Sequence, residues 1–315
     1  MSADNGTVYP PGTFGPDGQI LMSPYYNYLL DKSACFAFVI LYSLTTTVHL
    51  GEAIYWRMWW LLPTVVLGGI GEIIGWSGRL WSAFNPLIED PFMMQICATI
   101  IAPTPFVAAL FMTFARVTEC LGSEYSRISS RIYKWLFMTC DIISLFIQAA
   151  GGGLAATAST DSGSNLGGNI MLVGIIFQLV SLIVFVALSG EFLVRYVRDM
   201  PFRESGERRR RWDSKMKLLI GGLCFITLFI FIRSIYRTIE LSDGWNGRII
   251  STQIYFNVLD GMMVLLAMIT FNVFHPGYLL MNDYSREPVV TLESGNSALS
   301  SQTTMLELDK INNRL

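Results

Sequence analysis

Of 315 residues, 52% are hydrophobic and 15% are charged, against roughly 25% charged residues in soluble domains. The net charge of −2 and mean hydropathy of +0.45 describe neither a basic nucleic-acid-binding chain nor a soluble one. The apolar residues gather instead into blocks of about 20, the length a helix needs to cross hydrocarbon.

Residues 1–27, rich in Gly, Pro and Tyr, read as an irregular extracellular segment carrying the glycosylation sequon Asn5-Gly6-Thr7. Residues 28–280 predict an all-α domain of seven transmembrane helices, at about 33–53, 58–78, 92–115, 134–156, 168–190, 216–237 and 250–274. No cleavable signal precedes the first span, which itself directs insertion. In the second span, Glu72 and Arg79 stand seven apart on one face, beside the small pair Gly71 and Gly75 that permits close helix approach. Pro103 and Pro105 predict a kink in the third that frees carbonyls for other partners. The fourth holds Asp141 and Gln148, again seven apart, then Gly151-Gly152-Gly153.

Residues 157–168 read as a polar outer loop, and the fifth span carries Gln178. Pro201 stops the helix that leaves the membrane. The run Arg208 to Arg211 acts as a topology determinant, with binding of anionic headgroups as the alternative. In the sixth span Arg233, Tyr236, Arg237 and Glu240 recur at i, i+3, i+4 and i+7 and share a face. The seventh holds Gln253 and Asp260. Residues 281–315 read as a disordered cytoplasmic tail rich in Ser and Thr. Most of the 22 Lys and Arg residues fall in the first, third and fifth loops and the tail, which sets the N-terminus outside and the C-terminus in the cytoplasm.

Each ionisable group at membrane depth costs about 2.5–3.5 kcal/mol on insertion scales, so it faces the interior, finds a partner or carries function. Counting along the spans puts Glu72, Arg79, Gln95, Arg233, Arg237, Glu240, Gln253 and Asp260 in the outer half. Asp141 falls in the inner half, and Gln148 and Gln178 near the midplane. Two readings stay open: ion pairs that fix helix register, or an outward-opening polar pocket that a ligand enters. His49 and His275, the two histidines of the chain, read as separate interfacial side chains and are too few for a three-histidine zinc centre. No GxxxxGK[ST] motor motif is present, the seventh span has no lysine for a retinal Schiff base, and Asp141 and Asp260 lie at different depths for a paired-aspartate protease. No enzyme, metal or cofactor is expected, and the five isolated cysteines read as packing residues.

The same residues carry a resemblance. Glu72-x-x-Gly75-Trp76-x-x-Arg79, Asp141-x-x-Ser144-x-x-x-Gln148-x-x-Gly151, Gly174-x-x-x-Gln178, Arg233-x-x-Tyr236-Arg237-x-x-Glu240, Asp260 and His275-Pro276-Gly277 follow in order. Together they resemble the signatures of the fungal Rta-type, lipid-translocating exporter family. Trp76 stands where that family has Tyr, and Gln253 where it has Glu. The resemblance implies a multi-pass protein of the plasma membrane, with the vacuolar or endoplasmic reticulum membrane as alternatives. It also implies export or translocation of sphingoid long-chain bases, resistance to toxic amphiphiles or, in one branch, porphyrin transport. The expected partners are membrane lipids and amphiphilic small molecules. Glu72, Glu240 or Asp260 would pair the amine of such a base, and Gln148 and Gln178 would bond its hydroxyls; an anionic ligand would use Arg79, Arg233 and Arg237. A seven-helix receptor for an extracellular amphiphile is the alternative, although the chain has neither NPxxY at the end of the seventh span nor DRY at the end of the third.

Overall fold

The structure, a computed structural model, describes residues 12–14, 16, 20–203, 213–244 and 247–284. Asn5, the Arg208 to Arg211 run and the tail from residue 285 lie outside the described residues. The chain divides into two units, Met1–Leu279 and Leu280–Leu315; the fold described below is that of the first.

Seven helices are long and apolar enough to cross a membrane: Lys32–Tyr55, Trp59–Phe84, Glu89–Leu121, Ser130–Thr157, Ser162–Arg198, Ser214–Ser242 and Gln253–Leu280. All seven expected spans are present, and most run past the apolar block at one end or both. Among the described residues, β-pairing is limited to one isolated bridge, Phe14 with Ile20. Around the bundle the first span packs on the second and seventh, the fourth on the third and fifth, and the sixth on the third, fifth and seventh. The third is the most enclosed, with 67% of its apolar window buried against 33% for the first and fourth. The end holding Asn85 and Ser242 is called the outer end here, following the charge bias.

Local chemistry explains where the helices start and stop. Asp31 caps the first, its Oδ1 accepting from Ser33 N at 2.9 Å. The polar outer loop expected at 157–168 is only 158–160, because Thr160 caps the next helix by accepting from Gly163 N at 3.2 Å. The polar residues that follow form its first turns, a case of capping overriding composition. The fifth helix ends at Asp199 in a left-handed conformation (φ 54°), before Pro201 can be reached. The third span is interrupted at Ala102, between Glu89–Ile101 and Pro103–Leu121. Two spans widen into π-helical stretches, Leu62–Val66 in the second and Phe256–Met262 in the seventh.

Close packing depends on small residues at a few points. A Cβ on Gly75 would lie 2.6 Å from Thr99 Cγ2, and one on Gly71 would lie 2.8 Å from Ala102 Cβ, so the expected small pair brings the second span onto the third. A Cβ on Gly174 would lie 2.7 Å from Gln148 Cγ and 3.0 Å from the Ser144 carbonyl. The fourth and fifth spans thus run antiparallel at backbone distance, with Gly167 against Ala155, Gly151 against Met171 and Phe137 against Phe185. A side chain forced between two helices costs about 1–3 kcal/mol. Gly174→Val is therefore expected to lower the apparent melting temperature of the detergent-solubilised protein. Gly190→Ala, where a Cβ meets nothing within 4 Å, should leave it unchanged; equal losses would mean the fourth and fifth spans are not so tightly joined.

Candidate functional site

The polar site is centred on Asp260, which sits in the π-helical stretch Phe256–Met262 of the seventh span. Such widened turns recur at functional positions because they displace a side chain from the regular helical path. Arg237 grips Asp260 through two parallel bonds, Nε to Oδ1 at 2.9 Å and Nη2 to Oδ2 at 2.8 Å, the fork geometry that gives guanidinium–carboxylate pairs their strength. The same guanidinium donates from Nη1 to Glu240 Oε2 at 2.8 Å and from Nη2 to Thr99 Oγ1 at 2.9 Å. The other Glu240 oxygen accepts from the Tyr236 hydroxyl at 2.8 Å. Arg233, one turn along, places Nε 3.0 Å from Asp260 Oδ1.

Arg233 also donates from Nη2 to the Thr99 carbonyl at 2.7 Å. In an unbroken helix that carbonyl would accept from residue 103, but Pro103 has no N–H to give. The kink expected at Pro103 thus creates the acceptor that Arg233 uses. Thr99 is fully buried and serves both arginines, one through its carbonyl and one through its hydroxyl.

Arg79 stands apart from these ion pairs. It donates to the Tyr28 hydroxyl at 2.8 Å and lies 4.3 Å from the Phe256 ring centroid and 5.3 Å from that of Tyr26, a cation held by π faces. Tyr26 and Tyr28 belong to the irregular segment before the first span, which here packs against the outer end of the bundle. Ser23 donates to the Pro86 carbonyl at 3.1 Å, the Tyr26 hydroxyl lies 3.4 Å from Ser82 Oγ, and the Tyr26 ring meets Phe92 edge-on at 4.9 Å. Burial pushes the Tyr26 hydroxyl up to about 12, against the pull of Arg79, and raises Tyr28 by the same cause, so both remain neutral at physiological pH. Beneath them a cavity of about 20 Å³ reaches Gln95, Arg237 and Glu240, space for one water molecule.

Of the residues singled out from sequence, Arg233, Arg237, Glu240 and Asp260 form one network. Glu72 is buried within electrostatic reach of Asp260, Arg233 and Arg237, yet neither of its carboxylate oxygens has a hydrogen-bond partner. Gln95 turns along its own helix toward Thr99. Gln253 does not join the cluster: with its amide oriented to satisfy both neighbours, it accepts from Asp31 N at 3.1 Å and donates to the Leu29 carbonyl at 3.2 Å. Its seven-residue spacing from Asp260 assumes 3.6 residues per turn, and the π-helical stretch between them breaks that phase. Gln148 donates to Gln178 Oε1 at 3.0 Å, and Gln178 lies 3.4 Å from Thr104 Oγ1, an amide bridge made possible by Gly174. Asp141 is buried with Oδ2 unpartnered; the register that pairs Phe137 with Phe185 sets it opposite Ser181, whose hydroxyl is also unpartnered. Thr99 and Tyr28 were not singled out, although a threonine four residues before Pro103 was a readable signal for the former.

Comparison with known proteins agrees with the motifs. A family model described as RTA1 like protein matches residues 65–283. The sphingoid long-chain base transporter RSB1 of Saccharomyces cerevisiae (strain Lalvin EC1118) is 28% identical over 281 residues, which cover 80% of this chain and 73% of that protein. Protoporphyrin uptake protein 1 of Saccharomyces cerevisiae is 28% identical over 284 residues, covering 79% and 90%. Protein RTM1 of the same species is 32% identical over 207 residues, covering 65% and 64%. No solved structure matches.

Removing one partner from a buried ion-pair network leaves the others uncompensated, at about 3–5 kcal/mol. Asp260→Ala strands two guanidiniums and is expected to sharply reduce the monodisperse fraction recovered in detergent. Glu240→Gln, whose amide oxygen still accepts from Arg237, should retain most of it. Equal recovery of the two variants would show that Asp260 does not anchor the network.

Proposed function

The chain belongs to the RTA1-like family, and on that premise we propose that it is a transporter of single-chain cationic amphiphiles of the sphingoid-base class, with Glu72 as the docking carboxylate. The observation that carries this reading is the state of Glu72. Asp260 and Glu240 are already committed to Arg233, Arg237 and Tyr236, whereas both oxygens of Glu72 are buried and unpartnered. A buried carboxylate without a hydrogen-bond donor is costly, and an ammonium group offers three donors and a positive charge. Further along the membrane, Gln148 Oε1 and Asp141 Oδ2 are also buried acceptors without donors, suited to the hydroxyls and amine of such a base.

The hydrocarbon chain has a place outside the polar network. Between the sixth and seventh spans a groove of about 700 Å³ is lined by Ile232, Ile235, Ile239 and Leu259, with Asp243 and Arg248 also on its wall. Tyr236 lines this groove and holds Glu240 through its hydroxyl, so apolar groove and polar cluster share one side chain. An amphiphile can then keep its tail in lipid while its head enters the bundle. In a cell this activity would lower sensitivity to toxic amphiphiles at the plasma membrane.

The relative named for protoporphyrin uptake motivates a second reading, an anionic ligand on Arg79, Arg233 and Arg237. Against it, Arg233 and Arg237 are engaged by Asp260, Glu240 and Thr99, and Arg79 by Tyr28 and aromatic faces. A receptor for the same amphiphile would bind it without moving it.

The discriminating variant is Glu72→Gln, which keeps shape and removes charge. In liposomes containing the purified protein, sphingoid-base flux is expected to fall about tenfold or more in Glu72→Gln, with the melting temperature unchanged. Flux equal to wild type would overturn the docking role of Glu72. Binding without flux in the wild type would favour the receptor, and porphyrin flux alone would favour the anionic reading.

A further inference from the structure

At the inner end of the bundle, far from Asp260, three polar side chains face one another, and none has a hydrogen-bond partner at the facing atom. These atoms are His49 Nδ1, Glu52 Oε2 and His275 Nε2. Glu52 Oε2 lies 3.5 Å from His49 Nδ1 and 3.9 Å from His275 Nε2. Both histidines, expected from sequence as separate interfacial side chains, are buried, and Glu52 keeps 23% of its side chain exposed. Glu52 is therefore the one of the three whose side chain reaches the surface, although its Oε2 is itself buried.

The far nitrogen of each ring fixes its tautomer. His49 Nε2 lies 3.1 Å from the Met268 carbonyl, which can only accept, so Nε2 carries the hydrogen and Nδ1 is bare in the neutral ring. His275 Nδ1 accepts from Gly277 N–H at 3.1 Å, so it is the bare atom and Nε2 carries the hydrogen. Both rings are Nε2–H tautomers, yet they turn opposite kinds of atom toward Glu52. His275 turns a donor toward the carboxylate, a favourable orientation at a distance too long for a bond. His49 presents a lone pair to an oxygen lone pair, and a buried contact of two acceptors is unfavourable until something with a hydrogen stands between them.

We propose that His49 and Glu52, backed by His275, form a proton-binding site at the inner end of the bundle. It holds one proton between His49 Nδ1 and Glu52 Oε2 and exchanges it with the aqueous phase through Glu52. A metal ion does not fit the same atoms. It would need a lone pair at His275 Nε2, while His275 Nδ1 is already accepting from Gly277, and among the described residues no group of His, Cys, Asp and Glu is arranged to hold one. With the proton bound, His49 donates to Glu52 one turn along the same helix and holds the carboxylate beside His275. With it released, the two acceptors repel, and Glu52 is the member of the site with room to move toward the surface. The other cations near this end are held elsewhere: Lys215 lies 5.8 Å from the Tyr278 ring centroid, Arg116 lies 4.7 Å from that of Trp60, and Arg57 is exposed.

Because the chain has two histidines, nitrogen NMR of the full-length protein, labelled at histidine and held in detergent or nanodiscs, reads the site directly. At high pH both rings should report Nε2–H with bare Nδ1. As pH falls, His49 Nδ1 should gain a proton, with His49→Gln identifying its signals. Glu52→Gln can turn its amide nitrogen to His49 Nδ1 and donate to it, so that contact is satisfied without the proton and the protein folds. In that variant the His49 midpoint should drop by more than about one pH unit. An Nδ1–H tautomer of His49 at high pH, or a midpoint indifferent to Glu52→Gln, overturns the proposal, as does a shift of both histidines by stoichiometric zinc. The measurement needs no substrate, so its outcome is separate from that of the translocator reading.

Discussion

The grip of two guanidiniums on Asp260 is the constraint from which the outer half of the bundle follows. A lone charge among seven apolar helices would be intolerable, so Arg233, Arg237, Asp260 and Glu240 are arranged as a balanced set of two cations and two anions. That balance ties the sixth span to the seventh, and Thr99 ties both to the third. Each tie needs a backbone irregularity. Pro103 releases the Thr99 carbonyl, and the π-helical stretch of the seventh span displaces Asp260 from the regular path. Close approach of the second span at Gly71 and Gly75 then brings Glu72 into the same interior.

Much of this was legible in the sequence, because membrane depth makes every ionisable side chain conspicuous. The seven spans, the one-face spacing in the sixth and the carbonyl freed by the proline kink all follow from length, periodicity and the absent N–H of proline. The failures share a cause: they assumed ideal helices or isolated side chains. Gln253 was paired with Asp260 by a 3.6-residue period that the π-helical stretch breaks. The loop at 157–168 was drawn from polar composition, whereas Thr160 starts a helix there. His49 and His275 are 226 residues apart in the chain, and nothing local in the sequence shows that both converge on Glu52.

The two ends of the bundle differ in how they treat acceptors. In the buried outer cluster Asp260 and Glu240 are matched by arginines, whereas Glu72 has no hydrogen-bond partner. At the inner end His49 and Glu52 meet with no hydrogen between them. Both are places where a small donor, an ammonium at one and a proton at the other, would supply what the chain itself does not. Geometry of this kind is a stronger guide than cavity size, since the roomy groove between the sixth and seventh spans is lined mainly by apolar residues.

The segment carrying Tyr26 and Tyr28 has a thermodynamic consequence. It occupies Arg79 and covers the cavity above Arg237 and Glu240. Any solute that used Arg79 or that cavity from this side would first have to displace the segment, and its apparent dissociation constant would be the intrinsic one divided by the fraction of molecules in which the segment is displaced. Residues before the first helix would thereby weaken such binding without changing the polar groups beneath them.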